Sequence, residues 1–163
     1  MNGWFPYPDF YFFTSGKAEG ETHLTTFDAC LLSSNVGNTN LVKLSSIIPP
    51  GCVEKEPVSL PYGAALPIAY AYISSDMPGE VISAAVAVAL PSDPSKPGLI
   101  MEYSARGHKE DIERIVKRMA EEGMKNRAYE IKEIKTQSVE HRVERNGGAF
   151  AGVVLWNSSL VKH

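Results

Sequence analysis

The chain is expected to fold as a strand-rich α+β sandwich of the αββα type, with mainly antiparallel sheets and few outer helices. Two observations support this. Short segments of apolar alternation or continuous apolarity, closely bounded by Gly, Pro, Asn and Asp, recur along most of the 163 residues. Only two stretches carry a helical period. Strands in such excess, with helices too few to alternate with them, indicate sheets packed face to face with helices outside.

In chain order, seven of the aromatic residues crowd into the first 13 positions: Trp4, Phe5, Tyr7, Phe10, Tyr11, Phe12 and Phe13. They read as an arm followed by a strand at 9–14, packed on the chain's own core or on a neighbouring subunit. Residues 16–20 read as a turn. Leu24, Phe27, Leu31 and Leu32 recur at helical spacing, which predicts a helix over 22–34, ended by 35–38 with Gly37 inside. Residues 40–48 read as one strand stopped by Pro49, Pro50 and Gly51.

Residues 57–67 form a Pro-rich connection, 69–73 a strand, and 76–79 a turn. The apolar run 81–90 reads as a strand buried on both faces, because turn signals bound it closely. A loop at 91–97 and a strand at 98–104 carrying Glu102 follow. Residues 109–125 form the clearest helix, with Ile112, Ile115, Val116 and Met119 as its apolar stripe. Strands are expected at 128–134, 138–143 and 148–156, with a frayed C-terminus. No internal repeat and no long linker appears, so 1–163 reads as one domain.

Composition excludes several functions. A net charge of −3 without a Lys/Arg run offers no nucleic-acid or anionic-lipid footprint. The run 84–90 is too short to span a bilayer, and the N-terminal segment lacks the basic region of a secretory signal. Cys30 and Cys52 make no disulfide framework and read as reduced thiols of a cytoplasmic protein. His23, His108, His141 and His163 stand at no metal-ligand spacing. Lys43 could in principle form a Schiff base, but a solvated or ion-paired lysine is the simpler reading.

Taken alone, Ser45-Ser46 at a strand exit is uninformative. The stretch 40–50 is not. Together with Phe27-Asp28-Ala29-Cys30, Pro61-Tyr62-Gly63-Ala64, Pro78-Gly79-Glu80, Gly98-Leu99-Ile100-Met101-Glu102-Tyr103 and Ala149-Phe150-Ala151-Gly152, it resembles the pyruvoyl-dependent arginine decarboxylases. The resemblance covers about residues 14–157. The aromatic arm is the part without a match.

That resemblance implies a chemistry. The Ser46 hydroxyl attacks the Ser45 carbonyl, an N→O acyl shift gives an ester, and elimination and hydrolysis leave a pyruvoyl group and ammonia. The products are a β chain, 1–45, and an α chain, 46–163. The attack needs a distorted peptide, so strain is expected at 45–46. Asn40 is implied in processing and orientation through its amide, and Glu102 as the proton donor, an acid raised by burial among Leu99, Ile100, Met101 and Tyr103. Asp28 is implied to hold the guanidinium of arginine, with Leu31, Gly37 and Ser45 as further substrate-binding residues.

The implied cofactor is the pyruvoyl group of Ser46, with neither metal nor pyridoxal phosphate. The implied assembly is a homotrimer or dimer of trimers with sites between subunits. The implied reaction is decarboxylation of L-arginine to agmatine and CO₂. Two alternatives stand beside it: a pyruvoyl decarboxylase for another amino acid, and an unprocessed oligomeric scaffold.

Overall fold

The structure is a computed structural model that describes residues 6–161. Its elements run β1 (Phe10–Glu19), α1 (His23–Ser33), β2 (Asn40–Lys43), β3 (Ile47–Ile48), β4 (Val53–Glu54), β5 (Ala65–Ser75), β6 (Val81–Pro91), β7 (Gly98–Arg106), α2 (Lys109–Asn126), β8 (Ile131–Arg142) and β9 (Gly147–Trp156), with a 3₁₀ turn at Ser158–Leu160. One sheet has the order β2-β5-β9-β1-β4 and the other β3-β7-β6-β8. The β2–β5 and β1–β4 pairs are parallel and all others antiparallel. The expected αββα sandwich is the observed architecture.

Period-two alternation builds three apolar layers. In β1, Phe10 and Phe12 face α1, while Tyr11 faces the second sheet. In β6, Ala84, Val86 and Val88 fill the space between the sheets, and Ala85, Ala87 and Ala89 meet α2. The small side chains let that helix approach closely. Gly123 of α2 does the same from the other side, because a Cβ there would overlap the Leu99 side chain.

Several boundaries differ from the sequence reading. The turn expected at 16–20 is strand through Glu19, because Gly16 must lie flat against α1: a Cβ there would meet the Cys30 carbonyl oxygen at 2.8 Å. The strands at 128–134 and 138–143 are one strand, β8, whose register with β6 runs unbroken from Arg142 to Glu133. β5 extends from Ala65 to Ser75 and absorbs Pro67, while β4 and the 3₁₀ turn were not anticipated. Residues 1–5 of the aromatic arm lie outside the described residues.

Each helix buries only part of the stripe its apolar residues suggest, Leu31 in α1 and Ile112 and Val116 in α2, and exposes the rest. A reciprocal Thr22/Thr25 capping box starts α1, and Asn35 ends it with φ 59°. Thr26, Cys30 and Leu31 face inward; Leu24 is 76% and Leu32 49% exposed. In α2 the buried stripe is Ile112, Val116, Ala120, Gly123 and Met124, and Ile115 lies toward solvent. The expected strand at 40–48 is two strands belonging to two different sheets.

Candidate active site

That broken strand creates the site. β2 forms one edge of the first sheet and β3 one edge of the second. Leu44 is still held to the first sheet, its N–H donating to the Ile68 carbonyl at 2.9 Å. Ser46 is already held to the second, its carbonyl accepting from the Ile100 N–H at 2.8 Å. Exposed Ser45 spans the gap. The crossing forces φ of Ser46 to 148°, a region L-residues rarely adopt and one that costs of order 1–3 kcal/mol. Ile48, paired with Gly98 and buried between the sheets, pins the far side.

The Ser45–Ser46 peptide lines a cavity of about 320 Å³ with Pro6, Tyr7, Pro8, Leu44, Ile47 and Pro49 among its walls. The arm therefore reaches the serine pair. Tyr7 is anchored there by its carbonyl, which accepts from Asn157 Nδ2 at 2.5 Å.

Glu102 lies two residues beyond Ile100 on β7, about 7 Å along the strand. It shares the face of Ile100, toward the inter-sheet space, whereas Met101 and Tyr103 pack toward α2. Its side chain is 26% exposed, and Oε2 is buried with no hydrogen-bond partner among the described residues. Oε1 pairs with Lys43 Nζ at 3.2 Å, so the lysine of the strand end is ion-paired. Burial pushes the Glu102 carboxyl above its ordinary value, and Lys43 opposes that shift.

Asn40 opens β2. Its Nδ2 donates to the Gly63 carbonyl at 2.9 Å, and its N–H to Ala64 at 2.7 Å, tying the strand start to a turn in which Gly63 has φ 75°. One amide hydrogen of Asn40 remains available.

The structure separates the other candidates from this centre. Asp28 is exposed on α1, which packs on β1, β5 and β9, and it makes no ion pair among the described residues. Leu31 is a core residue beneath that helix. Gly37 packs against Leu32, where a Cβ would lie 2.7 Å from its backbone nitrogen, and lines a second cavity of about 370 Å³ with Asn35, Asn38, Thr39 and Tyr62. Within one chain, Ser46 and Glu102 lie on paired segments, the acid two residues beyond the Ile100 that holds Ser46 and outside the walls of the serine cavity; Asp28 and Gly37 belong to another surface. Among the described residues, no His/Cys/Asp/Glu group could hold a metal, and no helix is long and apolar enough to cross a membrane.

The site is a serine peptide with positive φ strung between two sheet edges, on a strand paired with the one that carries a half-buried carboxylic acid. Comparison with known proteins identifies the family. The family model for pyruvoyl-dependent arginine decarboxylase matches residues 10–159. A curated relative of that name from Methanocaldococcus jannaschii is 45% identical over 156 residues, covering 96% of this chain and 94% of its own. Another of that name, from Pyrococcus abyssi, is 46% identical over 145 residues, covering 87% and 91%. The chain belongs to the pyruvoyl-dependent arginine decarboxylase family.

Proposed function

We propose that the chain cleaves itself between Ser45 and Ser46 and then decarboxylates L-arginine to agmatine and CO₂. The observation that carries this reading is the φ of 148° at Ser46, held between Leu44 and Ile100 at the crossing from sheet to sheet. Ser46 Oγ attacks the Ser45 carbonyl carbon, the C–N bond breaks, and the amino group of residue 46 is freed as an ester forms. Relief of backbone strain helps drive the shift. Elimination of the ester releases the carboxyl end of Ser45, and hydrolysis then gives the keto group at position 46 and ammonia.

A pyruvoyl group fits position 46. Its formation removes the N–H of residue 46, which donates no hydrogen bond among the described residues. The carbonyl anchored by Ile100 is retained. A pyruvoyl group bound there supplies an electron-accepting carbonyl for loss of CO₂ from an α-amino acid.

Glu102 protonates the α-carbon. Burial keeps this carboxyl protonated to higher pH than a solvated glutamate, as a general acid requires. Its partner-free Oε2 is the oxygen suited to the transfer. Asn40 fixes the start of the strand that leads to the serine pair; five extended residues, about 16 Å, separate it from Ser45 of its own chain, so its spare amide hydrogen orients the Ser45 carbonyl of a neighbouring subunit.

Asp28 receives the guanidinium from a second subunit of a trimer. The exposed face of α1 reads Leu24, Asp28, Leu32 at i, i+4, i+8, a carboxylate flanked by two apolar side chains. Such a face suits an interface around a bidentate charge pair. Gly37 and the 370 Å³ cavity border the same surface, and Leu31 supports it from below. The buried thiols of Cys30 and Cys52 fit a reducing, cytoplasmic setting.

Intact mass and denaturing electrophoresis test the cleavage. Two fragments joined at 45/46 are expected, the larger one blocked to Edman degradation. Agmatine, cadaverine and putrescine formation, measured side by side, test the substrate. One unbroken chain after long incubation would favour a scaffold. A preference for lysine would overturn the guanidinium argument.

A further inference from the structure

Lys43 closes β2 at the open edge of the first sheet. Its ammonium lies 3.2 Å from Glu102 Oε1 on the second sheet and 4.6 Å from the Tyr70 ring centroid on β5. A carboxylate and an aromatic face thus hold one cation from two sides. The lysine ties the two sheets together three residues before the strained serine. It engages one oxygen of Glu102; the other, buried Oε2, has no hydrogen-bond partner among the described residues.

No other charge opposes it among the described residues. β5, β6 and β9 contain no charged residue, and their ionisable groups are the phenols of Tyr70 and Tyr72. The 44–48 segment carries no charge. On β7 itself, Tyr103 packs toward α2 and Arg106 pairs with Glu80. The charged face of α2 lies on the far side of the second sheet.

We propose that Lys43 is a positioning residue for Glu102: it selects Oε2 as the oxygen free to react and sets the pH range over which the carboxyl keeps its proton. The inference rests on the reading of Glu102 as proton donor. Burial favours the neutral acid and the adjacent ammonium favours the carboxylate. Removing the ammonium leaves burial opposed only by the Tyr70 backbone, so the acid holds its proton to higher pH.

The test uses the full chain carrying Ser46→Ala, so that neither cleavage nor turnover enters the readout. With ¹³C-labelled glutamate carboxyls, the Glu102 signal is assigned by its loss in Glu102→Gln and followed against pH. Lys43→Met is expected to move its midpoint upward and Lys43→Arg to restore it. Identical midpoints in all three backgrounds would overturn the proposal. In the Ser46 chain, the alkaline limb of kcat is expected to shift upward with Lys43→Met while KM for arginine holds. An unmoved limb with a raised KM would overturn it by making Lys43 a substrate contact. A shifted midpoint in a protein that never cleaves or decarboxylates would uphold the coupling and sink the catalytic reading of Glu102 instead.

Discussion

The Ser46 carbonyl and the Ile100 N–H share a hydrogen bond of 2.8 Å, and through it the residue at the strained crossing is registered on the strand that carries Glu102. Residue 46 and the acid cannot drift apart without unpairing β3 from β7. Ser46→Ala keeps that bond and removes only the hydroxyl. The expected result is a single uncleaved chain with no decarboxylase activity, read by electrophoresis and CO₂ release.

The strain itself is measurable without catalysis. Glycine adopts positive φ freely, so Ser46→Gly is expected to be about 1 kcal/mol more stable than Ser46→Ala. Denaturant unfolding of the two uncleaved proteins compares them directly. Equal stabilities would mean that the crossing stores no strain at residue 46.

Glu102→Gln preserves size and removes the proton donor. Cleavage is expected to proceed, while kcat falls by ~10²–10⁴-fold. A variant that failed to cleave would shift the role of Glu102 to processing.

Asp28→Ala is expected to raise KM for arginine by ~10–100-fold, the loss of a charge-assisted pair, with cleavage and fold unchanged. Its exposure on α1 and lack of an ion pair among the described residues make a structural defect an unsuitable explanation. Normal arginine affinity would move recognition to another residue.

Glu19 makes a separate prediction about stability. Burial raises its carboxyl, but the N–H groups of Glu144, Arg145 and Asn146, together with His141, outweigh burial and hold it at about 2. A carboxyl depressed below its ordinary 4.5 stabilises the fold fully above about that pH, and the contribution fades as pH falls toward 2. Glu19→Gln is expected to cost about 2 kcal/mol at pH 7, or ~4–8 °C in Tm, with the difference shrinking in acid. Thermal unfolding of both proteins at pH 7 and pH 3 measures it.

The layers of the sandwich were legible because buried strands must be apolar on whichever face is covered. The run 81–90 reads as doubly buried, and it is. The break at 44–46 was not legible, because leaving one sheet edge for another changes hydrogen-bond partners and not residue type. The error at α1 has a different cause. Leu24 and Leu32 obey helical spacing but not the intramolecular core, and Thr26, sealed by bonds to the Thr22 and Asn146 carbonyls, takes an inward position that polarity would deny it. At the site, Ser46, Glu102 and Asn40 were found through motif resemblance. Lys43 reads in sequence as a solvated or ion-paired lysine, but its partner is not legible there, since nothing in a linear sequence shows a lysine reaching a carboxylate 59 positions later.

The antiparallel pairing of β1 with β9 runs through ten residue pairs, from Phe10 with Trp156 to Glu19 with Gly147, and β1 lies inside the first sheet. Severing the backbone at 45/46 would therefore liberate nothing. The shorter piece stays threaded through the longer one, whose first sheet is incomplete without β1 and β2. Once melted apart, such a pair must find each other by diffusion, so recovery of the native form would depend on protein concentration where recovery of the uncut precursor would not.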